Sequence, residues 1–176
     1  MYLNKTETER LFIRKLHYDD IKTWKSFFEN NPSLPFLGID LSLDIESQAI
    51  EWIDIQLSRY QNNRFGHKAL INKQTNEFVG QCGLLTQEVE GEVKIEIGYH
   101  ILPKYWGNGY ATEAARSFRD YAFNNKISNS LISIIDVRNI ASQKVATKIG
   151  MNKTKQIRYF GLDVYVYRID KAVSVI

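Results

Sequence analysis

The most informative segment of the sequence is a glycine-rich stretch that reads Tyr105-Trp106-Gly107-Asn108-Gly109-Tyr110-Ala111-Thr112-Glu113-Ala114. Gly107 and Gly109 have no side chains, so the backbone can turn there and consecutive N–H groups can point at one spot. A helix is predicted over residues 112–124, and its first turn adds unpaired N–H groups and a positive dipole end. The segment therefore predicts a site for an anion such as a pyrophosphate. Two glycines before a helix can also serve backbone geometry alone, so this signal is weak by itself.

The elements on either side of this stretch alternate between strands and helices. Residues 92–102 give the clearest strand, because Ile95, Ile97 and Tyr99 alternate with polar or small residues. Residues 131–137 are almost continuously apolar, which predicts a strand buried on both faces. Other strands are predicted over residues 11–16, 66–73, 78–86, 154–159 and 162–170, and other helices over residues 21–28, 42–60 and 139–150. Because no linker or internal repeat interrupts this order, we predict one α/β domain over residues 1–176.

Length and composition exclude several classes of protein. Of the 176 residues 44% are apolar and 24% charged, which is typical of a globular domain and not of a disordered chain. No apolar run approaches the roughly twenty residues of a membrane span, and residues 1–7 show no signal peptide, so we expect a cytoplasmic protein without a membrane partner. The only cysteine is Cys82 and the three histidines lack ligand spacing, so we expect no disulfide and no metal. The net charge of +3 forms no basic stripe, so we expect no nucleic-acid partner.

The glycine-rich stretch strongly resembles the acetyl-CoA-binding motif of the GNAT acetyltransferase superfamily, in the RimJ- and RimL-like branch that includes ribosomal-protein N-terminal acetyltransferases. Two more segments match in the right order. Glu96-Ile97-Gly98-Tyr99 resembles the strand before the loop, and Asn139-Ile140-Ala141-Ser142, continuing to Lys148-Ile149-Gly150-Met151, resembles the helix after the next strand. The resemblance covers nearly the whole chain. It implies a single GNAT-like domain of α/β (α+β) class, with a mixed, mostly antiparallel sheet of about seven strands that is splayed in the middle and flanked by about four helices.

The resemblance also implies acetyl-CoA as cosubstrate, without a metal. The CoA pyrophosphate would lie on the loop amides, which belong to Trp106, Gly107, Asn108, Gly109, Tyr110, Ala111 and Thr112. The pantetheine arm would lie between the strand that ends at Ile101 and Leu102 and the strand that ends near Val137, where splayed strands expose backbone groups. Asn139 stands at the mouth of that splay, and it can bond the arm or simply cap the following helix. One side chain can do both.

Acetyl transfer to an amine needs a group that takes a proton from the amine and a group that protonates the departing thiolate. Glu96 stands on the polar face of an apolar strand near the implied thioester, so we predict that it takes the proton directly or through a water. A solvated strand carboxylate paired with Lys94 or with Arg residues is the alternative. Many superfamily members place a protonating Tyr where this chain has Ala146, whereas the ribosomal branch resembles Asn-x-x-Ser. We therefore predict Ser142 as the acid, with a helix-capping serine as the alternative.

Together these features predict an acetyl-CoA-dependent N-acetyltransferase that acts on a primary amine. We favour a protein N-terminal α-amino group over a small molecule such as a polyamine or aminoglycoside. A polycationic acceptor would suit the acidic residues of helix 42–60, which also fit a solvated helix face and are Asp44, Glu46, Glu51 and Asp54. A non-catalytic acyl-CoA-binding module is the alternative class, supported by Ala146 and Thr147 and opposed by Glu96 and Ser142. We expect a monomer or a homodimer.

Overall fold

The computed structural model describes residues 6–172, and over this range the chain forms one sheet with helices on both faces. The strands are β1 (Thr6–Glu7), β2 (Leu11–Arg14), β3 (Lys68–Asn72), β4 (Phe78–Val89), β5 (Glu92–Ile101), β6 (Ser130–Asp136), β7 (Asn152–Tyr159) and β8 (Leu162–Asp170). The α-helices are α1 (Ile21–Trp24), α2 (Ile45–Gln61), α3 (Tyr110–Asn124) and α4 (Ile140–Lys148). The strand order is β1-β2-β3-β4-β5-β6-β8-β7. Within this sheet β5 and β6 are parallel, and the other neighbouring pairs are antiparallel.

This architecture confirms the predicted α/β fold, with one difference in the number of strands. The described residues form eight strands where about seven were predicted, and the additional strand is β1. Its two residues pair with Ile13 and Phe12 at the edge of the sheet. A two-residue strand is too short to show any alternation in a sequence. The four α-helices agree with the predicted number.

The helix predicted over residues 21–28 is shorter than expected. One α-helical turn is present, and 3₁₀ turns at Tyr18–Asp20 and Lys25–Phe27 flank it. A 3₁₀ turn brings side chains three residues apart into line. The rings of Trp24 and Phe27 stack in that way, with their centroids 4.4 Å apart. Packing of these aromatic rings beneath α2 thus accompanies the tighter winding.

Two apolar cores lie on opposite faces of the sheet. α3 and α4 cover one face, where Cys82 and Phe118 are fully buried. α1 and α2 cover the other face with Trp24 and Ile53. β5 runs between the two cores, and its alternation is as predicted: Ile97 belongs to the α3 face, so Glu96 and its even-numbered neighbours point to the α2 face. The same strand therefore supplies side chains to both sides of the sheet.

The sheet splays apart between β5 and β6, as predicted. The two parallel strands are bridged at Glu96 and Ile132, and the described residues show no further pair. Beyond that bridge two side chains replace main-chain partners. The Ser133 hydroxyl donates to the Ile97 carbonyl over 2.8 Å, and the Ile134 N–H donates to Glu96 Oε1 over 3.1 Å. These bonds satisfy backbone groups that the diverging strands no longer offer each other.

Two further expectations concern membrane spans and metal ions. None of the helices within residues 6–172 combines the length and the apolar character that a membrane span needs. The same residues contain no group of three or more His, Cys, Asp or Glu side chains placed to hold a metal ion. Most of the segment in which no signal peptide was expected, residues 1–5, lies outside the described part of the chain.

Candidate active site

The glycine-rich loop leads directly into α3, which begins two residues earlier than predicted. Gly107 and Gly109 have φ values of +80° and +81°, a left-handed conformation that disfavours side chains. Glu113 donates its N–H to the Gly109 carbonyl over 3.0 Å, which makes it the first residue of α3 bonded back to the loop. The N–H groups of residues 110–112 precede that bond and remain available to an acceptor outside the helix. They point from the positive end of the helix dipole, so the loop is suited to an anion.

A clamp from the turn between β1 and β2 holds this loop, and nothing in the sequence pattern predicted it. Arg10 Nε lies 2.7 Å from Glu113 Oε2, and Arg10 Nη1 donates to the Asn108 carbonyl over 2.9 Å. Thr8 Oγ1 and the Arg10 N–H also donate to Glu113 Oε1. Burial alone would raise the pKa of Glu113, but these hydrogen bonds and the Arg10 charge lower it. The clamp therefore fixes the first turn of α3 against the sheet with an ionised carboxylate.

Replacing Glu113 by Gln should lower the free energy of unfolding at pH 7 by about 2 kcal/mol, because one amide oxygen cannot accept three charge-assisted bonds. The pKa of Glu113 is lowered, so its contribution exists above its ordinary pKa and disappears as the pH falls through the lowered value. Urea unfolding of both proteins at pH 7 and at low pH measures this. Glu46→Gln is the control, since Glu46 is an exposed carboxylate in the first turn of α2. Equal stability of Glu113→Gln and wild type at pH 7 would contradict the clamp.

A cavity of about 320 Å³ extends from the loop along the end of β5 to the α1 side of the molecule. Its loop end is lined by Trp106, Gly107, Gly109, Tyr110, Ala111 and Thr112. α4 and its cap supply a wall of Asn139, Ala141, Ser142, Lys144, Val145 and Lys148. The remaining lining comes from Tyr99, His100, Ile101 and Tyr105, and from Phe27, Ser33 and Leu37 at the far end. The cavity therefore begins where β5 has left β6 and joins the glycine-rich loop to an apolar recess.

The α4 wall brings together the two predicted polar residues of this helix. Asn139 Oδ1 accepts the Ser142 N–H over 3.0 Å, so Asn139 acts as the N-cap and still lines the cavity. The Tyr99 hydroxyl donates to the Ser142 carbonyl over 2.7 Å, and burial raises the pKa of this phenol. Lys144 and Lys148 line the same wall, and no carboxylate does so among the described residues. The cavity thus offers cationic and hydroxyl groups to its contents.

The other predicted cofactor residues divide into two groups. Ile101 lines the cavity, and its carbonyl accepts the Trp106 indole N–H over 2.6 Å. Leu102 is fully buried in the core beneath α1 and α2 and lies behind the cavity wall. Asn108 does not line the cavity, because its side chain turns back to donate to the Tyr105 carbonyl over 3.0 Å. Any contact from Asn108 to a bound anion would come from its backbone.

Glu96 does not line the cavity but lies buried at the closed end of the splay, with 8% of its surface exposed. Gln87 Nε2 donates to its Oε2 over 2.6 Å, and the Ile134 N–H donates to its Oε1. Burial raises the pKa of Glu96, and these two bonds and the charge of Arg59 lower it only in part. The alternative of a solvated carboxylate is therefore wrong. Glu96 therefore cannot touch a molecule in the cavity, and a proton would reach it only through an intermediary.

Two residues that the sequence analysis did not assign to the site, Tyr99 and His100, line the cavity. Tyr99 was expected only as an apolar face of β5, and its hydroxyl reaches α4. His100 shares the strand face of Glu96, and it lines the cavity directly. The acidic residues of α2 have the opposite outcome, since none of Asp44, Glu46, Glu51 and Asp54 lines the cavity. Alternation along β5 could have indicated the two faces, but not which residues meet α4.

Residues 10–152 match the family model described as an acetyltransferase (GNAT) domain. The chain belongs to the GNAT acetyltransferase family. It is 35% identical over 167 residues to the uncharacterized protein YkkB of Bacillus subtilis (strain 168), covering 93% of this chain and 94% of that protein. The family predicted from the three motifs is thereby confirmed.

Solved structures of acetyltransferases share the fold of the whole chain. An acetyltransferase from Agrobacterium tumefaciens superimposes with a TM-score of 0.78 at 26% identity, over 97% of this chain and 96% of that one. Mycobacterium smegmatis RimJ, solved in complex with CoA-disulfide, has a TM-score of 0.75 at 18% identity, over 94% and 88% of the two chains. This GNAT protein is an N-acetyltransferase, and acetyl-CoA is its cosubstrate.

Proposed function

We propose that this acetyltransferase transfers the acetyl group of acetyl-CoA to the α-amino group of a peptide or protein N terminus. The observation that carries the proposal is the shape of the cavity, which joins the loop amides to an apolar recess at Phe27 and Leu37. A polyamine or aminoglycoside carries several positive charges and needs carboxylates beside it. The lining of this cavity supplies two lysines and no carboxylate within the described residues, which favours an acceptor with one amine.

The cosubstrate would enter by the loop end of this cavity. The N–H groups of residues 107–112 and the helix dipole suit its pyrophosphate, and Lys144 and Lys148 supply positive charge for its phosphates. The pantetheine arm would follow Ile101 and Tyr99 along the edge that β5 exposes beyond the splay. Asn139 would bond the arm with its amide N–H₂, since its carbonyl oxygen already caps α4. Leu102 would support this wall from behind.

Catalysis would come first from holding amine and thioester in line within the cavity. We propose Glu96 as the final acceptor of the amine's proton, acting through an intermediary because it lies off the cavity. We propose Ser142 as the group that protonates the departing thiolate, since it stands in the wall beside the expected arm. Ala146 offers no hydroxyl at the position of the superfamily's Tyr.

Replacing Ser142 by Ala should lower kcat about 100-fold, the lower end of what general acid catalysis contributes. The Km for acetyl-CoA should change little, because the helix keeps its Asn139 cap. Steady-state release of CoA measures both. Thr147→Ala is the matched control, since it removes a hydroxyl from the exposed side of the same helix. An unchanged kcat would mean that the thiolate leaves without Ser142, and the Tyr99 hydroxyl would become the candidate acid.

The function itself is tested by titrating acetyl-CoA into the purified protein and by measuring CoA release with a panel of amines. The panel contains short peptides with free and with blocked N termini, spermidine and an aminoglycoside. Binding of acetyl-CoA and turnover with the free peptides alone would support the proposal. Turnover with spermidine and not with peptides would assign a polyamine acceptor instead. Failure to bind acetyl-CoA at millimolar concentration would contradict the enzyme as a whole.

A further inference from the structure

His67 packs against a part of the sheet where two adjacent residues are glycines. Gly83 of β4 and Gly98 of β5 are cross-strand partners, so the α2 face of the sheet lacks two adjacent side chains. A Cβ on Gly98 would come within 2.5 Å of His67 Nε2, and one on Gly83 within 2.7 Å of His67 Cα. Neither glycine has the left-handed φ that would require glycine for backbone reasons. Gly98 therefore excludes a side chain because the His67 ring occupies its space, and Gly83 excludes one because the main chain of Gly66 and His67 does.

The main chain of His67 is fixed by two side chains from α2. Its N–H donates to Gln56 Oε1 over 2.9 Å, and the Tyr60 hydroxyl donates to its carbonyl. The imidazole is 3% exposed and stacks on Trp52. Yet neither ring nitrogen has a hydrogen-bond partner among residues 6–172. A buried polar group without partners costs free energy, so packing alone gives no reason for a histidine here.

The His67 ring stands beside His100, which lines the cavity. The two ring centroids are 5.0 Å apart, with their planes at 70°. Burial lowers the pKa of His100 to about 4. Burial also lowers the pKa of His67 well below its ordinary value, and the nearby His100 and Arg59 lower it too. Both imidazoles are therefore neutral at physiological pH. A neutral imidazole can accept a proton at one nitrogen and release one from the other.

Glu96, His67 and His100 form a row on the α2 face of β5. Glu96 and His100 project from the same face on either side of Gly98, and the His67 ring fills the place above Gly98. Alternate side chains of a strand are spaced by about 6 to 7 Å, so Glu96 and His100 are too far apart for direct transfer and the ring between them is needed. The row therefore begins at a buried carboxylate and ends at the cavity wall.

Building on the proposed function, we propose that His100 takes the proton from the acceptor ammonium and that His67 relays it from His100 to Glu96. His100 is thus a catalytic residue, and His67 is a positioning and relay residue that acts through it. An N–H bond of the ammonium breaks and the proton goes to the His100 nitrogen that faces the cavity. The opposite nitrogen of His100 releases its proton toward His67, which in turn releases one to the Glu96 carboxylate.

The proton balance closes without any further reactant. The free amine forms the bond to the acetyl carbon, the carbon–sulfur bond breaks, and the second amine proton goes to sulfur. Glu96 later returns its proton to solvent, and both imidazoles end neutral. The net products are the acetylated amine, CoA and one proton.

The test compares His100→Ala and His67→Phe with wild type, using acetyl-CoA and the amine that gives the fastest CoA release. His67→Phe keeps an aromatic ring packed against Gly98 and removes both ring nitrogens. We expect kcat to fall on the order of 100-fold in each variant, while calorimetric affinity for acetyl-CoA stays within about threefold. Free imidazole should restore activity to His100→Ala in a saturable way. The control is His17→Phe, which changes an exposed histidine remote from the cavity.

The outcomes separate this inference from the proposed function. A folded His67→Phe with wild-type kcat would show that the ring serves packing only and would overturn the relay. His100→Ala with low activity that imidazole does not restore would equally overturn it. The second variant keeps the test decisive if His67→Phe does not fold. A wild-type protein that binds acetyl-CoA and transfers to no amine would instead contradict the proposed function, and the relay with it.

Discussion

Replacing Glu96 by Gln should lower kcat on the order of 100-fold or more, because the proton taken from the amine loses its final acceptor. The affinity for acetyl-CoA should stay within about threefold, which is about 0.7 kcal/mol. Glu96 lies behind the cavity wall and touches none of the groups proposed to hold the cosubstrate. Steady-state kinetics combined with calorimetry of acetyl-CoA binding measures the two effects separately.

The pH profile of wild type gives a second signature of Glu96. Burial raises its pKa, and only the ionised carboxylate can accept a proton. The value of kcat should therefore fall as the pH is lowered through this raised pKa, and this acidic limb should be absent from the residual activity of Glu96→Gln. The nearby titratable groups are Arg59, His67, Tyr99 and Tyr159. On the acidic side the arginine stays charged and the tyrosines stay neutral, and burial lowers the pKa of His67.

Ser133→Ala is the control for Glu96→Gln. Ser133 is the other side chain that satisfies the splay, and its hydroxyl bonds the Ile97 carbonyl. The control should lower stability by about 1 kcal/mol, because it leaves a buried carbonyl unpaired, and should keep kcat near wild type. If Glu96→Gln and Ser133→Ala changed kcat by the same factor, the role of Glu96 would be structural, namely to bond the backbone of the diverging strands. Wild-type turnover in Glu96→Gln would remove the residue from the mechanism.

Gly107→Trp should abolish measurable binding of acetyl-CoA at micromolar concentration. Gly107 lines the cavity at the loop, and no atom lies within 4 Å of the position its Cβ would take. An indole there meets no protein atom at its base and extends into the space proposed for the pyrophosphate. The left-handed φ of +80° adds a strain of about 1 to 2 kcal/mol. Calorimetric titration with acetyl-CoA measures the loss.

Gly161→Trp separates the loss of the site from the cost of the backbone. Gly161 lies in the β7–β8 turn with φ of +81°, and it too has no atom within 4 Å of a Cβ. The two variants therefore carry the same side chain and the same strain, but only Gly107 borders the cavity. Gly161→Trp should have the same melting temperature as Gly107→Trp, and it should bind acetyl-CoA with the affinity of wild type. Normal binding by Gly107→Trp would place the pyrophosphate elsewhere.

Most of the framework around the cavity could be predicted because its signals are local. The alternation of β5 gave its two faces, the two glycines gave the turn before α3, and Asn139 gave the cap of α4. Each of these signals involves residues within one turn or one strand. The family followed from the order of the three motifs along the chain.

The features that could not be predicted depend on residues far apart in the chain. Arg10 and Glu113 are separated by 103 positions, and no spacing rule links a turn residue to a helix that distant. The burial of Glu96 depends on how far β6 diverges, and a continuous apolar run such as residues 131–137 does not reveal where pairing stops. In the sequence His67 looks like an ordinary polar residue near the start of a strand. Its position becomes meaningful only once Gly83 and Gly98 are known to be cross-strand partners.

The positions of two tryptophans give this enzyme its own optical reporters. Trp106 is 42% exposed, lines the loop end of the cavity and is held by a hydrogen bond to Ile101. Trp52 contacts the ring of His100 at the opposite end, with centroids 4.7 Å apart. Cosubstrate arriving at the loop would perturb the emission of the first indole, and an acceptor meeting His100 would perturb the second. The order in which the two substrates bind is thereby readable by stopped-flow fluorescence without any attached dye.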